Sequence, residues 1–117
     1  MVLGLFLCGG IMNASAVSFV EGLEDIPRPD DLQYIENGNL SFGNEEIRFV
    51  EVYLTSHTLD FGKVVNFYEE TLPQLGWIIK QNGKDKIVFE REGETLDISE
   101  ESVIPLVVRI TVKSKYQ

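Results

Sequence analysis

The sequence predicts an α+β fold: an antiparallel β-sheet with one α-helix packed across one face, in a two-layer sandwich. Three observations carry this expectation. One stretch alone has a helical apolar period, short runs rich in β-branched and aromatic residues lie on both sides of it, and the later runs follow one another too closely for parallel crossovers. The order is strands, helix, then about four more strands, and the simplest way to bury both apolar surfaces is to lay the helix on the sheet.

The helix is expected over residues 60–75, where Phe61, Val64, Val65, Tyr68, Leu72 and Leu75 recur at three- and four-residue steps. Thr58 or Asp60 can cap its first amides, Pro73 should end it or tighten its last turn, and Gly76 suits the left-handed residue that closes a helix. Before it, residues 32–35 and 40–42 are short strand candidates around the turn signal Asn37-Gly38, and residues 47–55 form a longer strand. In that strand Val50, Val52 and Leu54 share one face, and Phe49 and Tyr53 share the other. After the helix, residues 77–81 and 86–91 read as a hairpin about Asn82-Gly83, and Glu92-Gly93 turns the chain into a strand at 94–99. A last strand spans 103–112, with Pro105 near its start.

The chain has 117 residues, 44% of them hydrophobic and 25% charged, which suits one folded domain and not a disordered chain. Its formal charge of −9 argues against nucleic acid, because binding phosphates requires clustered cations. The same charge keeps a small protein soluble and disfavours anionic membrane surfaces.

Residues 1–16 read as a signal peptide. Residues 1–12 are uncharged and mostly apolar, too short a run to span a bilayer. Ala14-Ser15-Ala16 supplies the small-x-small pattern of a cleavage site, so that Val17 would begin the mature chain. No Lys or Arg precedes the apolar run. The only cysteine, Cys8, lies inside this segment, preceded by Leu7 where a lipoprotein signal wants a small residue. Cleavage would remove thiol chemistry and disulfides together. The expected location is therefore periplasmic or secreted, with no stable membrane insertion after cleavage. Residues 17–31, with Pro27 and Pro29, are expected as an extended N-terminal arm or a strand along a sheet edge, and residues 32–117 as the single α+β domain.

Candidate chemistry is sparse. His57 is the only histidine, and sequence neighbours such as Ser56 and Asp60 do not make a triad by adjacency. Zinc wants three or four nitrogen or sulfur ligands, and no calcium-loop spacing occurs, so no metal or cofactor is expected. Paired acids along the chain read as solvated strand faces, with Asp97, Glu100 and Glu101 as the one weak candidate for a divalent cation. Trp77 reads as a core anchor at the helix–sheet junction. Arg91, flanked by acids, reads as a cross-strand ion pair, with ligand binding as its alternative role.

The runs Phe67-Tyr68-Glu69-Glu70-Thr71-Leu72-Pro73-Gln74-Leu75-Gly76-Trp77 and Phe89-Glu90-Arg91-Glu92-Gly93-Glu94-Thr95-Leu96-Asp97-Ile98 resemble a pattern of small exported bacterial domains of unknown function. In that pattern an FY…LPxLGW helix end precedes an FxREGExLxI hairpin, and the upstream Asp25-Ile26-Pro27 is similar too. These motifs are structural, so the resemblance implies bacterial export and this topology but no reaction or ligand. The resulting expectation is a non-enzymatic protein-binding or structural module of the cell envelope, using a sheet edge or the arm to contact a protein partner. The alternative is a small-molecule binding domain, with its site between helix and sheet near Tyr53, Tyr68, Trp77 and Arg91.

Overall fold

The computed structural model describes residues 18–20, 22–36, 38–43 and 47–114. The expected signal peptide and its cleavage site lie outside the described residues. Among the described residues nine strands and one α-helix follow in the order β1 (Ser18–Val20), β2 (Leu23–Arg28), β3 (Gln33–Tyr34), β4 (Leu40–Gly43), β5 (Arg48–Ser56), α1 (Phe61–Thr71), β6 (Ile78–Asn82), β7 (Lys86–Arg91), β8 (Glu94–Ser102) and β9 (Leu106–Ser114). The fold is α+β, with the helix packed against an antiparallel sheet, as the sequence predicts.

The sheet has seven strands in the order β3-β5-β9-β8-β7-β6, with β4 joining β3 on the outer side of β5. Every pairing in it is antiparallel. Register sets one face aside for the core. Val50, Val52 and Leu54 of β5 align with Val112, Ile110 and Val108 of β9. Leu96 and Ile98 of β8 face Val112 and Ile110 on one side and Phe89 and Ile87 on the other. All of these are buried. The alternating residues, among them Phe49, Glu51, Tyr53, Arg109, Thr111 and Asp97, form a half-exposed opposite face.

Helix α1 begins where Asp60 accepts a hydrogen bond from the Lys63 amide at 2.9 Å. Phe61, Val64, Tyr68 and Leu72 turn inward and are buried. At Pro73 the chain tightens into a 3₁₀ turn, Leu72–Leu75, which Gly76 closes at φ 94°. A 3₁₀ turn advances three residues per revolution, so Leu75 rotates off the apolar stripe expected for it and stands 42% exposed.

Two further expectations are corrected. The segment over residues 17–31, expected as an extended arm or a strand along a sheet edge, holds a hairpin instead: β1 and β2 pair with each other and not with the large sheet. Val20, Leu23 and Ile26 are buried in the same core as the helix. An eleven-residue helix is only about 16 Å long, whereas six strand positions span roughly 25 Å, so a second cover is needed. The hairpin supplies it. The short strands expected on either side of Asn37-Gly38 are present, and β3 and β4 both pair with β5, as two pieces of one interrupted edge. The amide of Ile35 still reaches the Tyr53 carbonyl at 3.1 Å, and pairing with β5 resumes at Leu40. The last strand starts at Leu106, leaving Val103 and Ile104 exposed at the β8–β9 turn.

Tyr68 joins the two covers. Its ring is fully buried, and its hydroxyl donates to the Pro27 carbonyl at 2.7 Å. Burial pushes the phenol well above its ordinary range. Replacing Tyr68 by Phe leaves that carbonyl unpaired, and urea unfolding at neutral pH should show a loss of about 1–3 kcal/mol. Above pH ~10 the unfolded chain releases a tyrosine proton that the folded chain keeps, so folded stability falls with pH. The variant lacks this loss at residue 68, and by pH ~11 its deficit should shrink by about 1.4 kcal/mol. A deficit that stays constant from pH 7 to 11 would contradict the buried phenol.

Candidate functional site

The four residues singled out for ligand binding do not converge. Tyr53 alternates with the buried Val52 and Leu54 and so stands on the opposite, half-exposed face of the sheet. Tyr68 is sealed between the helix and the hairpin, and Trp77 is 1% exposed within the core. The expected grouping between helix and sheet is therefore corrected: the sheet separates Tyr53 from the other aromatics. The period-2 alternation already carried that information, since Tyr53 was assigned the face opposite Val52. Trp77 and Arg91, in contrast, are brought together.

Trp77 follows the Gly76 cap directly, so the cap's geometry aims the indole inward beneath strand β7. The Arg91 guanidinium lies over its ring, 4.3 Å from the centroid. The same guanidinium donates from Nη1 to the Leu75 carbonyl at 3.0 Å and from Nη2 to the Asp25 carboxylate. Asp25 also lies 3.6 Å from Arg48, and Arg48 is held by two hydrogen bonds to Glu94, at 2.5 and 2.8 Å. Those bonds push the Arg48 guanidinium above its already high value, and partial burial opposes them. The neighbouring acids first read as Arg91's partners are thus displaced by a residue 66 positions away. Only the similarity of the Asp25-Ile26-Pro27 segment touched this residue in the sequence.

Around Arg91 the surface sinks into a cleft of about 430 Å³, lined by Leu75, Gly76, Ile78, Lys80, Glu90, Arg91, Glu92 and Gly93. Gly76 is required here twice over. Its positive φ disfavours a side chain, and a Cβ would meet the Arg91 Cδ at 3.3 Å. The β7–β8 turn forms the far wall, with Glu92 at φ 48° and Gly93 at φ 85°. Leu75 and Ile78 line the apolar side, 42% and 64% exposed. All five residues of β6 are exposed, and the strand has a bulge between Ile79 and Gln81.

The other chemical candidates fall apart in space. The Ser56 hydroxyl accepts from the Thr58 and Leu59 amides at 3.1 and 2.9 Å, a turn-forming role that spends its lone pairs. His57 is exposed beside it, in a depression shared with Val103 and Ile104. Asp97 pairs with Lys86 at 3.4 Å, and Glu101 pairs with Arg109 at 3.3 Å. Among the described residues no three acidic, histidine or cysteine side chains are grouped to hold a metal. No helix among them is long and apolar enough to cross a membrane. Comparisons with protein-family models, curated proteins and solved structures return no match.

The Asp25–Arg91 contact is partly exposed, at 36% and 20% for the two side chains, which places it between a surface and a buried ion pair. A double-mutant cycle of Asp25→Ala and Arg91→Ala, read by urea unfolding, should give a coupling of about 1 kcal/mol. Arg91→Lys should recover less than half of the loss. An ammonium cannot reach a carboxylate and a carbonyl in one plane while lying flat on an indole.

Proposed function

We propose that this chain is a non-enzymatic protein-binding module of the bacterial cell envelope, exported by residues 1–16, and that its partner seats an apolar side chain in the cleft beside β6. The observation that carries this reading is the pair Leu75 and Ile78, left 42% and 64% exposed beside a cleft of about 430 Å³. Large aliphatic side chains grouped on a pre-formed concave surface favour a protein contact, since their desolvation stabilises the complex with little ordering cost.

The chemistry nearby supports binding over catalysis. Arg91 is committed to Asp25, Leu75 and Trp77, and its hydrogen-bonding edge is turned to the protein's own groups. Arg28, Arg48 and Arg109 are likewise engaged, with the Leu32 carbonyl, with Glu94, and with Glu51 and Glu101. Export rests on the apolar run and the Ala14-Ser15-Ala16 pattern, and a partner in the same compartment follows from it.

A photo-crosslinking residue at position 78, introduced in the producing cell, should yield one discrete protein adduct. The same residue at the exposed position 63 on the helix should not. Leu75→Asp should reduce the adduct at least fivefold, because a carboxylate in the cleft is left without compensation when the partner covers it. Mass spectrometry of the exported protein should show Val17 as its first residue. Equal, diffuse labelling at positions 78 and 63 would remove the cleft as a binding site, and a retained residue 1 would remove the export reading.

A further inference from the structure

The half-exposed face of the large sheet carries another concave site. On β9, Thr111 lies opposite Glu51 of β5 on one side and Asp97 of β8 on the other. Two residues away along the strand, in either direction, stand Lys113 and Arg109, each about 7 Å from Thr111. Lys113 lies opposite Phe49 and Thr95, and Arg109 lies opposite Tyr53 and Ser99. The short threonine at the centre of this cross leaves a depression of about 180 Å³, lined by Phe49, Glu51, Asp97, Arg109, Thr111 and Lys113.

Cross-strand ion pairing does not account for this layout. Such pairs form best between residues directly opposite one another, yet neither cation here stands opposite an acid. Arg109 turns to Glu101 at 3.3 Å and keeps a longer distance, 4.0 Å, from Glu51. Asp97 is 3.4 Å from Lys86 on the neighbouring strand. Lys113 is exposed and makes no ion pair among the described residues. The Thr111 hydroxyl reaches Glu51 only at 3.5 Å. Both signs of charge therefore ring the depression with bonding capacity to spare.

From this arrangement we infer that the depression over Thr111 binds a small zwitterion, of the class of a free amino acid with a short side chain. Its lining holds two carboxylates and two cations, and so is neutral within a chain of −9. A net anion is repelled by the chain as a whole, and a simple cation leaves Lys113 facing like charge. A molecule bearing both signs satisfies both sides. Its ammonium faces Glu51 and Asp97, and its carboxylate takes Lys113 and the Thr111 hydroxyl. Phe49, stacked on Phe42 with centroids 5.0 Å apart and planes 9° from parallel, gives the ligand's side chain an ordered apolar wall. The volume lies below the roughly 300–1,000 Å³ of ordinary ligand pockets, so the ligand is small and the affinity millimolar. The site shares no residue with the cleft beside β6 and does not depend on it.

The test is a heteronuclear NMR titration of the protein isolated from its producing cell, at neutral pH, with alanine, N-acetylalanine and alaninamide up to roughly 100 mM. Alanine should give saturable shifts at the amides of Thr111, Lys113 and Asp97. N-acetylalanine lacks the ammonium and alaninamide lacks the carboxylate, and each should bind about fivefold more weakly or worse. Thr111→Leu fills the depression and should abolish the shifts, whereas Thr111→Ser should keep them. Lys113→Gln, at an exposed position, should weaken alanine about threefold, a readout that stands if the leucine variant fails to fold. No saturable shift with alanine, equal binding of the three compounds, binding retained in Thr111→Leu, or binding unchanged in Lys113→Gln would each overturn the proposal.

Discussion

A sheet six positions wide presents more apolar surface than an eleven-residue helix can cover, and the rest of the structure answers that mismatch. The buried rows of β5, β9, β8 and β7 must be kept from water along their whole width, since apolar burial is the main favourable term in a domain of this size. Helix α1 covers part of the face. The β1–β2 hairpin, with Val20, Leu23 and Ile26, covers more. Two covers that do not share a backbone ladder must be fixed to each other and to the sheet by side chains. Tyr68 does this from the helix, through the Pro27 carbonyl, and Asp25 does it from the hairpin, through Arg48 and Arg91.

Arg91 is the point at which all three parts meet. It is a residue of the sheet, bonded to a carbonyl of the helix end and to a carboxylate of the hairpin, with the core tryptophan beneath it. Such a guanidinium is pre-organised by its planarity: the donors needed for two directions already lie in one plane, and its flat face is free to rest on an aromatic ring. The cleft beside it therefore has a floor that cannot easily move, and apolar Leu75 and Ile78 are presented on a firm support. In a binding surface, that rigidity lowers the ordering cost of association.

The elements governed by local period were legible in the sequence. The helix, its Asp60 cap, the Gly76 closure, the hairpin about Asn82-Gly83 and the turn at Glu92-Gly93 all depend on residues within a few positions of one another. Trp77 as a core residue was legible too, because burying a large aromatic at the helix–sheet junction contributes heavily to a core. What escaped depends on distant residues. Pro27 and Pro29 argued for an arm, yet Ser18↔Arg28 and Phe19↔Pro27 pair, and the carbonyl of Pro27 is used by a tyrosine 41 positions away. The doublet Asn37-Gly38 marked a turn between two short strands but not their partner, and β3 and β4 both pair with β5. The candidate site divided in the same way: Arg91 was visible as a charged residue near a turn, and its true partner, Asp25, was not.

The hairpin's position in the core also bears on the order of events as the chain folds. Residues 23–27 are among the earliest of the described segment to leave a ribosome, but the groups that hold them lie at positions 48, 68 and 91. The interior cannot close around them until most of the polypeptide is at hand, and such long loops are slow to shut. Strand β7 is joined to β5 only through β8 and β9, so a chain so arranged stays open until its last strand is made, with the first-made strands held in place only then.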